Sequence, residues 1–177
     1  MAKDLPDDQE ADQEMPVHTW SFDSDSDALQ IYRAEFAGQR DSLSVIRELA
    51  EEAANSTPLG EVAVAGFEMA VDELCANVVE HGYEKDDEES PRPMLIEIAR
   101  FPDRIECIVT DYSAIHFAVD KASTRGFASF LQEQRERGLG LDIIRHCVDQ
   151  VEHQWLQPKG NQTRLVKFYD AGPDGEL

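Results

Sequence analysis

The stretch that decides the fold is FEMAVDELCANVVEHGY, residues 67–83. Apolar side chains recur through it, and through the residues just before it, at the spacing of an α-helix that packs one face on a core. This apolar stripe consists of Val64, Phe67, Val71, Leu74, Cys75 and Val78. Glu73, Asn77 and His81 follow at four-residue intervals beside the stripe, which predicts a polar column where a cleft can open. The alternative is the ordinary polar rim of a surface helix.

The segments on either side predict further helices and strands. Residues 18–22 and 31–36 favour one or two early strands, and a first amphipathic helix is expected from Asp41, as N-cap, to a break at residues 55–58. The central helix then covers about residues 60–81 and ends at Gly82. Residues 94–101 and 104–111 predict a hairpin, and residues 112–136 a long loop.

Order returns at residues 137–142, where a third helix is expected. Its apolar positions are Leu141, Ile144, Val148 and Val151. Residues 152–156 and 163–169 predict a closing hairpin. Strands that arrive mostly as hairpins, with helices between them, predict an α+β, two-layer sandwich with a mixed or antiparallel sheet and helices on one face.

Composition limits the function classes. The chain has 177 residues and a net charge of −21, with no basic stripe to displace counterions, so nucleic acid is not expected as a partner. No apolar run is long enough for a membrane span, and three cysteines without close spacing indicate reduced thiols and a cytoplasmic protein. We expect a disordered acidic arm over residues 1–16, one domain over residues 17–170 and a frayed tail over residues 171–177.

Two motifs resemble a known family. Residues 73–82, ELCANVVEHG, and residues 137–141, RGLGL, are similar in order and spacing to the ATP-binding module of the GHKL superfamily. Within it, the bacterial anti-sigma factor serine/threonine kinases are the nearest match. The resemblance covers about residues 30–170 and implies a Bergerat-type fold that binds ATP and Mg²⁺.

The resemblance also implies roles for individual residues. Asn77 becomes the Mg²⁺ ligand and Glu73 the general base, since an amide oxygen suits this hard cation and a carboxylate can activate a hydroxyl. The remaining nucleotide-binding positions implied are Asp111, Arg137, Gly138, Leu139, Gly140 and Thr163. Glycines at a helix start let the backbone approach a polyphosphate. An exposed strand threonine is an equally ordinary reading of Thr163, and a structural role is favoured for His81.

One motif departs from the family pattern. The family has Asp-x-Gly-x-Gly after a strand, whereas this chain keeps Asp111 but has Ser113 and Ile115 in place of the glycines. If those positions require a positive φ, the loop is strained or takes another path.

Two main function classes therefore stand side by side. One is an anti-sigma factor that phosphorylates an anti-anti-sigma (STAS-type) protein, sequesters a sigma factor and forms a homodimer. The other is the same scaffold acting by protein binding alone, with a degenerate nucleotide site. A stand-alone ATPase or a phosphatase regulator is a third, weaker possibility.

Overall fold

The computed structural model describes residues 20–22, 27–83, 92–113, 140–156 and 160–169. Within these ranges lie five strands, three α-helices and one π-helical turn. The strands are β1 (Gln30–Ala37), β2 (Pro93–Arg100), β3 (Arg104–Asp111), β4 (Gln150–Trp155) and β5 (Asn161–Phe168). The helices are α1 (Arg40–Asn55), α2 (Glu61–Asn77) and α3 (Gly140–Cys147), and the π-helical turn is Val78–Gly82.

The five strands form one sheet in the order β1-β2-β3-β5-β4, and every neighbouring pair is antiparallel. The choice between a mixed and an antiparallel sheet is thereby settled. Both predicted hairpins are present, as β2–β3 and β4–β5. The register sets Asp111 at the end of β3 opposite Asn161 at the start of β5, so polar side chains of two strands meet at one end of the sheet.

The helices cover one face of the sheet, with α2 packed against both α1 and α3. The stripe predicted on α2 is confirmed, because five of its six residues are buried in the main core and Val78 packs against it. The sheet contributes alternate residues to the same core, as the two-residue period of a strand requires: Met94, Ile96, Ile98, Ile105, Cys107, Val109 and Leu165. The α+β two-layer sandwich expected from sequence is confirmed.

The opposite face of the sheet, called here the second face, carries charged side chains among apolar ones. Glu97 and Glu106 are buried there even though both are charged residues. Arg33 pairs with Glu97 at 2.5 Å, and Arg104 and Arg164 flank Glu106 at 2.5 and 2.7 Å. Each buried carboxylate thus has a cross-strand or same-strand cation, which offsets the cost of removing it from water.

Of the one or two early strands predicted, the described residues contain one, β1, and residues 20–22 lie outside any strand. Two other predictions are corrected at this level. Helix α1 begins at Arg40 with Gln39 as N-cap, and Asp41 lies in its first turn, where its charge still favours the positive end of the helix dipole. Helix α3 ends at Cys147 and Val151 belongs to β4, because one apolar residue three positions after Val148 can either extend a helical pattern or begin a new strand.

The central helix also differs from its prediction near its end. The α-helical pattern stops at Asn77, and residues Val78–Gly82 form a π-helical turn closed by a bond from Tyr83 N to Val78 O at 3.0 Å. A π-helical turn holds more residues than an α-helical one, so His81 does not continue the polar column at the predicted spacing. Such turns are frequent at functional sites, and this one directly follows Asn77.

The predicted N-terminal arm, the tail at residues 171–177 and the loop at residues 114–136 lie outside the described residues. In the part of the chain that is described, no helix has both the length and the apolar character needed to cross a membrane.

Candidate functional site

A buried polar cluster joins the end of β3 to the start of β5. Asn161 Nδ2 donates to Asp111 Oδ1 at 3.1 Å and to Ser113 Oγ at 2.9 Å. The backbone N–H of Ser113 donates to the same Asp111 Oδ1 at 2.8 Å. All three residues are buried. The carboxylate of Asp111 is therefore held in one orientation by two donors at a single oxygen, on the face of the sheet that carries the helices.

Gly160 makes this close approach of two strands possible. Its φ is +126°, a conformation that residues with a side chain rarely adopt. A Cβ at this position would lie 2.7 Å from the carbonyl oxygen of Asp111. Glycine is therefore required immediately before Asn161, and any other residue would push β5 away from the end of β3.

The end of α2 lies against the same cluster. A Cβ on Gly82 would come within 3.1 Å of Ser113 Cβ, so the π-helical turn and the segment after β3 are in near contact. Tyr83 fixes this arrangement, since its hydroxyl donates to Pro93 O at 2.9 Å and accepts from Tyr112 N at 2.7 Å. The structure thus brings the helix carrying Asn77 to the strand carrying Asp111, as the sequence predicts.

Thr163 lies on the same sheet face, beside a buried histidine. It is buried, which corrects the reading of Thr163 as an exposed strand residue. Its hydroxyl is 2.9 Å from Nδ1 of His153, its partner in the register of β4 and β5. Removal from water lowers the pKa of His153 to about 4, although a hydrogen bond with Asn161 acts in the opposite direction. His153 is therefore neutral near pH 7 and helps to orient the Thr163 hydroxyl.

Asn77 is the last residue of α2, and its amide nitrogen is a buried donor without an acceptor among the described residues. Buried polar atoms nearly always have a partner, so an unsatisfied one indicates a position that a ligand or ion completes. The nitrogen and the oxygen of a side-chain amide are distinguished only by their hydrogen bonds. A rotation of the Asn77 amide by 180° would place Oδ1 where Nδ2 lies. Asn77 therefore suits either a phosphate oxygen or a cation.

Glu73 precedes Asn77 by one helical turn and is partly buried. Burial, followed by the nearby charges of Asp72 and Glu80, raises the pKa of its carboxyl group. An acidic helix end with an elevated carboxyl pKa is favourable for proton uptake, and a bound cation would relieve the repulsion between these charges. Across the described ranges, no group of three or more His, Cys, Asp or Glu side chains is arranged to hold a metal ion.

The predicted site residues thus have different outcomes in the structure. Glu73 and Asn77 lie on one turn of α2, whereas Asp111 and Thr163 lie on the sheet face below the helices. Gly140 is the first residue of α3. The other predicted glycine-loop positions, Arg137, Gly138 and Leu139, lie outside the described residues, as does Ile115.

Two members of the site, Asn161 and His153, were not identified from the sequence, and Ser113 was identified only as a replacement for a glycine. Asn161 and His153 lie with Asp111 and Thr163 on the sheet face that carries the helices, and these four residues are called here the polar floor. Ser113 accepts one of the Asn161 hydrogen bonds. A signal was present for Asn161, because it follows a glycine and stands two residues before Thr163, and so shares its face of the strand. His153 had no such signal, since its pairing depends on the register of β4 with β5.

The backbone at Ser113 answers the question raised by the missing glycine. None of the described residues other than glycine has a positive φ, and Ser113 is among the described residues. Its backbone therefore carries no left-handed strain, and its side chain lies buried against Gly82. Ser113 therefore does not have the backbone strain that one of the two alternatives predicts for this loop.

An antiparallel sheet under three helices, with an Asn–Asp–Thr cluster where β3 ends and β5 begins, defines an α+β sandwich of the GHKL type. The chain belongs to the family of histidine kinase-like ATPase domains, whose model matches residues 36–167. Membership of an ATPase family supports the use of a nucleotide.

Two similar proteins are serine-protein kinases named RsbW. The protein of Bacillus cereus (strain AH187) is 25% identical over 130 residues, which cover 71% of this chain and 77% of the relative. The protein of Bacillus pumilus (strain SAFR-032) is 29% identical over 108 residues, covering 59% of this chain and 65% of the relative.

Proposed function

We propose that this protein is an anti-sigma factor with ATP-dependent serine/threonine kinase activity toward a STAS-type anti-anti-sigma protein. In this proposal it sequesters a sigma factor until the antagonist takes its place, and it acts in the cytoplasm as a homodimer. The observation that carries the enzymatic part is the unsatisfied buried amide of Asn77, one helical turn after the carboxyl group of Glu73. The similarity to serine-protein kinases named RsbW supports the choice of reaction and substrate class.

In this proposal the polar floor holds the nucleotide. Asp111, fixed by Asn161 and by Ser113 N, accepts a hydrogen bond from the adenine amino group, and Thr163 offers its hydroxyl nearby. Phosphate binding is assigned to Gly140, the first residue of α3, and to Arg137, Gly138 and Leu139, which lie outside the described residues. Backbone N–H groups at a helix start provide a favourable environment for anionic oxygens.

Asn77 fits Mg²⁺ through its amide oxygen, because this cation prefers hard oxygen ligands and retains waters and phosphate oxygens in the rest of its coordination shell. A site supplied by one protein amide and by the nucleotide is consistent with the scarcity of clustered carboxylates in the described part of the chain. When bound, Mg²⁺ neutralises charge that develops on the transferred phosphoryl group.

Glu73 takes the proton of the substrate hydroxyl in this scheme. Its raised pKa brings the carboxylate closer to the affinity for a proton that an effective general base needs near neutral pH. The transfer moves the terminal phosphoryl group of ATP to the hydroxyl oxygen of the antagonist. The bond to the β-phosphate oxygen breaks, and ADP leaves.

The alternative function is regulation by protein binding alone. The observation in its favour is Ser113, whose buried side chain occupies space between Asp111 and Gly82 that a glycine would leave open. A narrowed adenine pocket would lower nucleotide affinity while leaving the outer surfaces of the domain intact.

Calorimetry with ATP, in the presence and absence of Mg²⁺, separates these two functions. The kinase proposal predicts saturable binding that strengthens when Mg²⁺ is added, together with ATP-dependent phosphorylation of a STAS-type protein from the same organism, read by intact mass. Absence of binding at millimolar ATP would reject the kinase and leave the binding-only regulator.

A further inference from the structure

Residues 20–22 bind to the second face of the sheet, opposite the helices. The backbone N–H of Trp20 donates to Gln162 Oε1 at 2.8 Å, and Gln162 Nε2 donates to the carbonyl of Trp20 at 2.9 Å. The side-chain amide of Gln162 thus pairs with one residue of an extended segment as a neighbouring strand would.

Two further contacts hold this segment. Arg33 donates to the carbonyl of Phe22 at 2.6 Å and also pairs with the buried carboxylate of Glu97. The Phe22 ring, only 6% exposed, meets Phe101 edge to face with centroids 5.7 Å apart. Ala99 and Ile108 complete an apolar cluster beneath it, with Trp20 at its border. The second face therefore has backbone-binding groups and an aromatic pocket side by side.

The strand positions that bind this segment also carry the candidate nucleotide site on their other face. Gln162 lies between Asn161 and Thr163 on β5, and successive residues of a strand point to opposite faces. Gln162 Nε2 also donates to Thr110 Oγ1 at 2.9 Å, and Thr110 directly precedes Asp111 on β3. The segment is thus bound by Gln162, and the residues next to Gln162 and Thr110 along β5 and β3 carry the polar floor on the opposite face of the sheet.

We propose that this pocket is a binding site for an extended aromatic segment, that residues 20–22 of the same chain occupy it, and that their binding strengthens nucleotide binding across the sheet. The effect of the segment on nucleotide binding rests on the proposed function. Residues 20–22 precede residues 36–167, which the family model matches. By restraining Gln162 and Thr110, the bound segment reduces the freedom of the floor residues that a nucleotide must otherwise order.

The test uses the full-length protein and the Phe22→Ala variant. We expect the Trp20 amide, measured by NMR hydrogen exchange, to exchange at least about tenfold faster in Phe22→Ala, because the anchoring ring is lost. ATP affinity by calorimetry should weaken about fivefold. Phe22→Leu keeps most of the apolar volume, so its Trp20 exchange rate and its ATP affinity should lie between those of the wild type and Phe22→Ala. Val62→Ala is the control, since this α2 side chain is 89% exposed and its truncation should change neither quantity.

The effect of ATP on the Trp20 amide provides a second measurement, because coupling between two binding events acts equally in both directions. If binding of the segment strengthens binding of the nucleotide, then the nucleotide strengthens binding of the segment by the same factor. Saturating Mg-ATP should therefore slow exchange of the Trp20 amide in the wild type. The expected factor equals the loss of ATP affinity caused by Phe22→Ala. Faster Trp20 exchange in Phe22→Ala with unchanged ATP affinity would overturn the coupling, and wild-type exchange at the rate of an unstructured peptide would overturn the binding site. Trp20 protection that depends on protein concentration would overturn the assignment to the same chain and indicate a second copy.

Failure of the proposed function gives a different pattern. A wild-type protein that binds no ATP removes the kinase and the coupling together, whereas protection of the Trp20 amide and its loss in Phe22→Ala still decide whether the second face is a segment-binding site.

Discussion

Asn161 and Asp111 face each other in the register of β5 and β3, and a hydrogen bond of 3.1 Å joins their side chains. The pair lies where β3 ends and β5 begins beneath the helices, so the orientation of Asp111 depends on a residue 50 positions away in the chain. Gly160 allows this approach by adopting a positive φ. The candidate nucleotide site is therefore built on a strand pairing, and small changes in that pairing should be measurable as changes in binding.

Asn77→Ala should weaken Mg-dependent ATP binding by about 1–3 kcal/mol, the scale of losing a hydrogen bond or ligand to a charged group. Binding in the absence of Mg²⁺ should change less. Calorimetry with and without Mg²⁺ measures both, and Asn55→Ala, at the exposed end of α1, is the matched control. Identical Mg-dependent binding in Asn77→Ala and wild type would contradict the role given to Asn77.

Glu73→Gln should leave ATP affinity close to that of the wild type and slow phosphoryl transfer to the antagonist by about 100-fold or more, because the amide cannot accept the proton. Single-turnover transfer followed by mass spectrometry measures the rate. Glu51→Gln, on the exposed side of α1, should transfer normally. A Glu73→Gln protein with wild-type transfer would remove Glu73 from the mechanism.

Ser113→Gly should not tighten ATP binding, because Ser113 has no left-handed backbone strain to release. It should instead lower the melting temperature by about 2–6 °C, since Asn161 loses an acceptor and the chain gains unfolded-state entropy. Ser113→Ala removes the hydroxyl alone and separates the two causes by thermal melting. A tenfold gain in ATP affinity for Ser113→Gly would show that the serine narrows the pocket.

His153 should make stability depend on pH. Its folded-state pKa of about 4 is below its ordinary value of 6.5, so the unfolded chain binds more protons and stability falls as pH drops through this range. Between about pH 7 and pH 5 the wild type should lose roughly 2 kcal/mol more than His153→Gln in denaturant titrations. His146→Gln, altering an exposed histidine on α3, should behave as wild type. Equal pH dependence in wild type and His153→Gln would mean that His153 is not buried in its neutral form.

Removal of residues 1–16 should change the melting temperature by no more than a degree or two, because these residues have little apolar surface to offset the entropy of ordering them. A chain that begins at Asp27 should melt several degrees lower, since it also loses the buried ring of Phe22. Thermal unfolding of both truncated chains measures the difference. A large loss on removing residues 1–16 alone would show that the acidic arm contacts the domain.

The sequence allowed most elements to be predicted because their signals are local. The apolar stripe of α2 and the two-residue alternation of the strands are set by backbone geometry, and each can be read within a few turns of chain. Predictions were wrong where a new element begins at a position that could continue the previous helical pattern, as at Val151, or where hydrogen bonding changes within a helix, as after Asn77. The side chains named on α2 were identifiable from the sequence for the same local reason.

By itself, the sequence determined the order of the described elements, the buried stripe of α2 and the positions of Glu73, Asn77 and Asp111 along these elements. Only the tertiary structure decided that Asn161 orients Asp111, that His153 lies buried against Thr163, and that residues 20–22 occupy the second face. These contacts join residues far apart in the chain, so they depend on strand order and register. Strand register is fixed by how both sheet faces pack, and no short stretch of sequence contains that information.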